Sequence, residues 1–317
     1  MGLFGAKLQF EAAMKYYKGV PKQGYSKNRQ KAFMLCQEAA RAGLVEAMVK
    51  LSEMYFNAEG CRYDEKMGEN WLLRAAELED AEALFRIGRV YLFSWKHKNK
   101  AWMGLEYLEK AAQQGHEEAM FVVGDYYVNH TMRLEKAIQY LGSPKLKYHP
   151  DAIYKLAKAH EGIERQASFA FESEEMDMSA LYEATNYEEY MDAYTKLPPL
   201  YTPSVKVHQM YARALSLYEE KASFGSWRCA LEAARMRLYG IGCANNPQKA
   251  FTTMVYIAQQ EKGELSGDCA EHYREIAQAK LAKMYLLGIG CTKDEEKSKY
   301  YQNLVRCSDE TLKQMVL

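Results

Sequence analysis

Three stretches of the chain can be written beneath one another without a gap: Glu38-Ala-Ala-Arg-Ala-Gly-Leu-Val-Glu-Ala47, Arg74-Ala-Ala-Glu-Leu-Glu-Asp-Ala-Glu-Ala83 and Lys110-Ala-Ala-Gln-Gln-Gly-His-Glu-Glu-Ala119. They return about every 36 residues, and a fixed period of that length restricts the fold more than any local propensity. Four columns stay in step: Ala39, Ala75, Ala111; Ala40, Ala76, Ala112; Ala47, Ala83, Ala119; and Tyr55, Tyr91, Tyr127.

Within each unit the alanine, an aliphatic residue and the tyrosine stand four apart, as in Ala47, Leu51, Tyr55 or Ala83, Ile87, Tyr91, so each set lines one helical face. A second helix follows, over Glu69 to Glu77 or Met103 to Gln113, and ends in the Ala-Ala pair. Small residues there let helices approach closely, and Gly43 and Gly115 are placed as helix stops. The unit predicted is a helical hairpin.

This pattern resembles the Sel-one-like repeat (SLR), a relative of the tetratricopeptide repeat. Its signature of Ala, Leu-Gly, Tyr, Gly-x-Gly, Asp and Ala-Ala-x-x-Gly is matched in many places. The clearest turn is Lys283-Met-Tyr-Leu-Leu-Gly-Ile-Gly-Cys-Thr-Lys-Asp294, with a weaker copy at Leu238-Tyr-Gly-Ile-Gly-Cys243. The resemblance covers residues 10–160 and 208–317. It departs at Gly60-Cys61, which keeps half of the turn, at Trp95-Lys-His-Lys, which replaces it, and at Arg237, which stands in the tyrosine column. The fold it implies is all-α: a right-handed α-solenoid of about six or seven stacked antiparallel hairpins, one enlarged by an insertion.

The insertion is where the period fails. Residues 161–194 hold ten acidic residues against one basic, in a chain whose 42 basic and 42 acidic residues cancel overall, so the rest of the chain carries the opposite excess. Ser179 to Tyr194 reads as a helix, and Pro198-Pro199-Leu-Tyr-Thr-Pro203 as a stiff connection. The expected organisation is an N-terminal repeat block over 1–160, an acidic, tyrosine-rich insertion with its connection over 161–207, and a C-terminal block over 208–317. The insertion is either a solvated enlarged repeat or a docking surface for a basic partner, with Glu174, Glu175, Asp177, Tyr187, Glu188, Glu189 and Tyr190 as candidate contacts.

A second candidate surface lies on the first helices. Residues two, six and nine places after the repeat alanine point away from the core face. They are Val49, Glu53, Phe56; Phe85, Arg89, Leu92; Phe121, Asp125, Val128; and Tyr154 with Lys158. By resemblance to tetratricopeptide repeats these offsets line a concave groove suited to a peptide or helix. Alternatively the aromatics among them pack on the next repeat's first helix.

Chemistry is not expected. His116-Glu-Glu-Ala-Met and His160-Glu-Gly-Ile-Glu lack the second histidine a zinc-protease motif needs, and Cys269-Ala-Glu-His272 is half a zinc site, so no metal or cofactor is predicted. A Cys–His pair drawn from distant positions would be the route to an enzyme, as in relatives proposed to hydrolyse β-lactams; those carry regularly paired cysteines, whereas the seven here are scattered. No apolar run is long enough for a membrane span, the opening Met1 to Lys7 has no apolar signal core, and zero net charge with an acidic insertion disfavours nucleic acid. The function expected is that of a cytoplasmic adaptor or inhibitor that binds a protein, with the immunity protein of a secreted toxin as the alternative setting.

Overall fold

The computed structural model of the protein describes residues 2–131, 133–175, 202–260 and 270–305. It is all-α. Fourteen α-helices are present among the described residues, joined by short turns, and no described helix is long and apolar enough to cross a membrane. They fall into two compact units, Met1–His130 and Thr131–Leu317.

The first unit holds α1 (Leu3–Lys18), α2 (Arg29–Arg41), α3 (Val45–Phe56), α4 (Glu65–Glu77), α5 (Ala81–Phe93), α6 (Ala101–Gln113) and α7 (Glu117–Tyr126), each packed on its neighbours in sequence. The repeat columns are its core. Ala39 and Ala40, Ala75 and Ala76, Ala111 and Ala112 are buried, as are Ala47, Ala83, Ala119 and the residues four places on, Leu51, Ile87 and Val123. Alanines at the crossings let backbones come together, and between α5 and α6 even a methyl is too much: a Cβ on Gly104 would lie 2.6 Å from the Leu92 nitrogen.

Several of these helices begin with a polar cap. Asn28, Asp64 and Asp80 accept the main-chain N–H three residues on, at 2.8–3.0 Å, which satisfies one of the orphan donors at a helix start. The stops after the Ala-Ala pairs are left-handed residues: Gly43 and Gly115 as expected, and between them Glu79, with φ of 57°. Glycine would be at ease there and glutamate is not.

The second unit holds α8 (Leu134–Leu141), α9 (Pro150–Glu175), α10 (Val205–Ser223), α11 (Trp227–Tyr239), α12 (Pro247–Ala258), α13 (Ala270–Leu287) and α14 (Glu295–Leu304). α9 runs through residue 160 without a break and packs on α10. A part-buried charge cluster joins these helices to α11: both nitrogens of the Arg228 fork donate to Asp151 at 2.7 Å, and Tyr218 donates to the same carboxylate at 2.8 Å. Two clusters fill the unit, one around Ile153, Val207, Tyr211 and Met236, the other around Met254, Ile257, Leu281 and Tyr301.

In the last two hairpins the Gly-x-Gly turn takes the form the sequence implied. Gly240, Gly242, Gly288 and Gly290 all have φ near 70°. The second glycine of the turn is also needed for space, since a Cβ on Gly290 would run into the Pro247 carbonyl at the start of the previous hairpin's second helix. Cys243 and Cys291, which follow, donate their thiols to the Met236 and Met284 carbonyls, and Cys61 does the same to Met54. The cysteines that look scattered in sequence thus include a repeat column that closes helix ends.

Arg237 keeps the job of the tyrosine column. Tyr127 donates to Glu109, eighteen residues earlier, and Arg237 donates to Glu219 at the same separation, at 2.6 Å in each case. The unlike residue makes a like contact between the two helices on either side of the turn.

Candidate functional site

The eleven candidates on the first helices occupy different environments. Val49, Phe85 and Val128 are buried; Phe85 stacks on His116 of the next hairpin at 4.4 Å between ring centres. For Phe85 this is the packing alternative, an aromatic set against the next hairpin. Phe121 and Asp125 are half-buried on α7. In the second unit Tyr154 lies against Tyr211 and under the Arg235 guanidinium, and Lys158 is exposed.

Glu53, Phe56 and Arg89 do come together. With Ser52, Leu72, Arg86, Val90 and Phe93 they line an open cleft of about 300 Å³ between α3 and α5 in the first unit. Its floor is apolar, from Phe56 and Leu72, and its outer lip is Phe93, 59% exposed. The offsets two, six and nine from the repeat alanine fall on the α3 wall, but on α5 the cleft also uses Arg86, Val90 and Phe93, three, seven and ten places after Ala83. Neighbouring parallel helices show opposite flanks to the groove between them, so one set of offsets cannot describe both walls.

A row of paired charges runs along the same face. The Lys50 ammonium sits 4.0 Å from the Tyr17 ring centre and 2.8 Å from Glu53. Glu53 pairs with Arg86, Arg86 with Glu82, and Glu82 with His116 at 3.0 Å. Burial works against ionisation of Glu82, yet the hydrogen bonds from His116 and Arg86 hold its carboxyl below the usual carboxylate range. Arg86 is therefore neutralised twice over. Arg89, one turn along the helix, is exposed, stands 5.5 Å from the Phe85 ring centre, and makes no ion pair among the described residues.

The acidic-insertion candidates lie outside the described residues: Asp177, Tyr187, Glu188, Glu189 and Tyr190 fall in 176–201, and for Glu174 and Glu175 only the backbone, the last turn of α9, is described. Of the thiols that a Cys–His enzyme would need, Cys36 is pushed up to about 11 by burial, and burial likewise raises Cys61 and Cys291; a nucleophilic thiol requires the opposite shift.

Two repeat families match the chain: the Sel1 repeat over residues 6–44, 227–252 and 276–301, and a family described as plant tetratrico peptide repeats over residues 61–148. No curated protein matches. Among solved structures, a Sel1 repeat protein from Oxalobacter formigenes is similar with 19% identity and a TM-score of 0.54, over 98% of this chain and 74% of that one. A protective antigen of uropathogenic Escherichia coli displaying an SLR fold shares 16% identity with a TM-score of 0.43, over 98% and 71%. An immunity protein from Pseudomonas aeruginosa shares 18% identity with a TM-score of 0.34, over 67% and 82%. The first of these resemblances shows the fold; the other two are too loose to bear on function.

Proposed function

Since the chain is a Sel1 repeat protein with tetratricopeptide-like hairpins, we propose that it acts by binding another protein rather than by chemistry, and that a segment of the partner seats in the cleft between α3 and α5. The observation that carries this is Arg89: an exposed cation beside an apolar cleft, while its neighbour Arg86 is held by Glu53 and Glu82. A peptide that places an aliphatic or aromatic side chain over Phe56 and Leu72 would bring a carboxylate two to four residues away onto the Arg89 guanidinium. Phe93 on the lip would cover the inserted side chain.

Selection of peptides from a random displayed library tests this. The wild-type protein is expected to enrich sequences that pair a large apolar residue with an Asp or Glu, and Arg89→Glu to lose that preference for acidic residues. Enrichment that is the same for both proteins would remove Arg89 from the site. An adaptor and an inhibitor differ in partner number, so affinity purification of the tagged protein at low and high salt separates them: several partners for an adaptor, one stoichiometric partner for an inhibitor.

A further inference from the structure

The loop Trp95–Lys100 stands where other hairpins have their glycine turn, and it brings an imidazole to the start of the preceding hairpin's second helix. In the regular turns, backbone packs against the start of the preceding hairpin's second helix: Gly60 against the Arg29 carbonyl, Gly290 against that of Pro247. In this loop, side chains meet the start of α4. The His97 Nε2 lies 2.7 Å from Glu69 Oε1, and Lys96 Nζ lies 2.5 Å from Glu65 Oε2. Glu65 and Glu69 are one turn apart on α4, so their carboxylates share a face. One ligating atom each from Glu65, Glu69 and His97 lies within 4.8 Å of the other two, and all three residues are half-buried.

The helix and the loop depart from the repeat together. The glycine is gone, an imidazole comes from the loop, and α4 supplies two carboxylates, whereas α2 begins Arg29-Gln30-Lys31 and α12 begins Pro247-Gln248-Lys249. We propose that Glu65, Glu69 and His97 form a binding site for a divalent cation of the zinc class. Two carboxylates and an imidazole make a mixed oxygen and nitrogen set, which suits zinc and leaves a fourth position open to water or to a ligand from elsewhere; magnesium and calcium prefer all-oxygen shells with more ligands. The ligating atoms need to rearrange by about 1 Å to meet a metal at the usual bond lengths, a change within reach of side chains on a loop and a helix start. Tyr91, whose ring centre is 5.2 Å from that of His97, backs the imidazole.

Lys96 is the resident competitor. Its ammonium already balances Glu65, it is 46% exposed, and exposed pairs of this kind are weak enough for a metal to displace. The site therefore carries an internal control that a purely structural ion-pair cluster lacks: removing the lysine should help the metal.

Isothermal titration of the full chain with zinc alone, with magnesium and calcium as comparison ions, is the test. The expected results are one zinc per chain, at least about tenfold weaker binding in His97→Gln and Glu69→Gln, and severalfold tighter binding in Lys96→Met. Far-ultraviolet circular dichroism establishes that each variant is folded before titration. No zinc binding by wild type or by folded Lys96→Met overturns the proposal and leaves the cluster as an ion-pair staple; zinc binding that His97→Gln and Glu69→Gln leave unchanged overturns the assignment of the ligands.

Discussion

In the last two hairpins of the second unit the turn after the first helix is closed by a pair of glycines, Gly240 and Gly242 or Gly288 and Gly290, while in the first unit Ala58 fills the first of the two places with a φ of 54° and only Gly60 survives. The rest of the turn is the same. Asp64, Asn246 and Asp294 each donate their backbone N–H to the tyrosine-column carbonyl, at 2.8–3.2 Å, and each caps the next helix. The thiols of Cys61, Cys243 and Cys291 occupy equivalent positions. The difference teaches which glycine is replaceable. The first needs only a positive φ, which an alanine can be forced into; the second must also make room for the backbone of the preceding hairpin, and no side chain fits there.

The hardest way to break this equivalence is at the second position. Gly290→Ala combines a left-handed backbone with a collision against the Pro247 carbonyl and should cost about 3 kcal/mol or more, read as a lowered midpoint in urea unfolding. Next in size is the charge cluster of the second unit, which the first unit does not share. Burial would raise the Asp151 pKa, but the hydrogen bonds from Arg228 and Tyr218 outweigh it and hold the carboxyl below the ordinary range. A depressed carboxylate pKa gives stability that is present at neutral pH and is lost as pH falls below about 4. Asp151→Asn is expected to cost about 2 kcal/mol at pH 7 and to flatten the loss of stability below about pH 4.

The tyrosine column sharpens the comparison. Arg237→Ala should cost about 1.5 kcal/mol, whereas Arg237→Tyr, which restores the residue of the other hairpins and its reach to Glu219, should recover much of it in thermal unfolding. Smallest, and opposite in sign, are the two strained positions of the first unit. Ala58→Gly and Glu79→Gly should each stabilise by about 0.5–1 kcal/mol, because the relief of a left-handed non-glycine residue exceeds the entropy glycine adds to the unfolded chain.

What could be read in the sequence follows from what repeats. The alanine pairs, the Leu51, Ile87, Val123 column and the stops at Gly43 and Gly115 recur at fixed intervals, so one hairpin explains the others. Glu53, Phe56 and Arg89 were reached by counting from the repeat alanine, and Arg86, Val90 and Phe93 were not, since they belong to the opposite flank of the next helix. The cysteine column was hidden because Cys61 and Cys243 are separated by the insertion, which breaks the count. Glu65, Glu69 and His97 form no spaced motif at all. They meet only because a turn in one hairpin rests on a helix start in the hairpin before it, and the 28 residues between Glu69 and His97 match no metal signature.

The thiols that close the helix ends also make the molecule its own gauge. Cys61, Cys243 and Cys291 each sit part-buried at the mouth of a different hairpin, bonded to a carbonyl near the end of its first helix. The rate at which each one takes up a small disulfide reagent, assigned cysteine by cysteine by peptide mapping, is expected to rise with the opening of its own hairpin, and the order of the three rates to show where the array comes apart first.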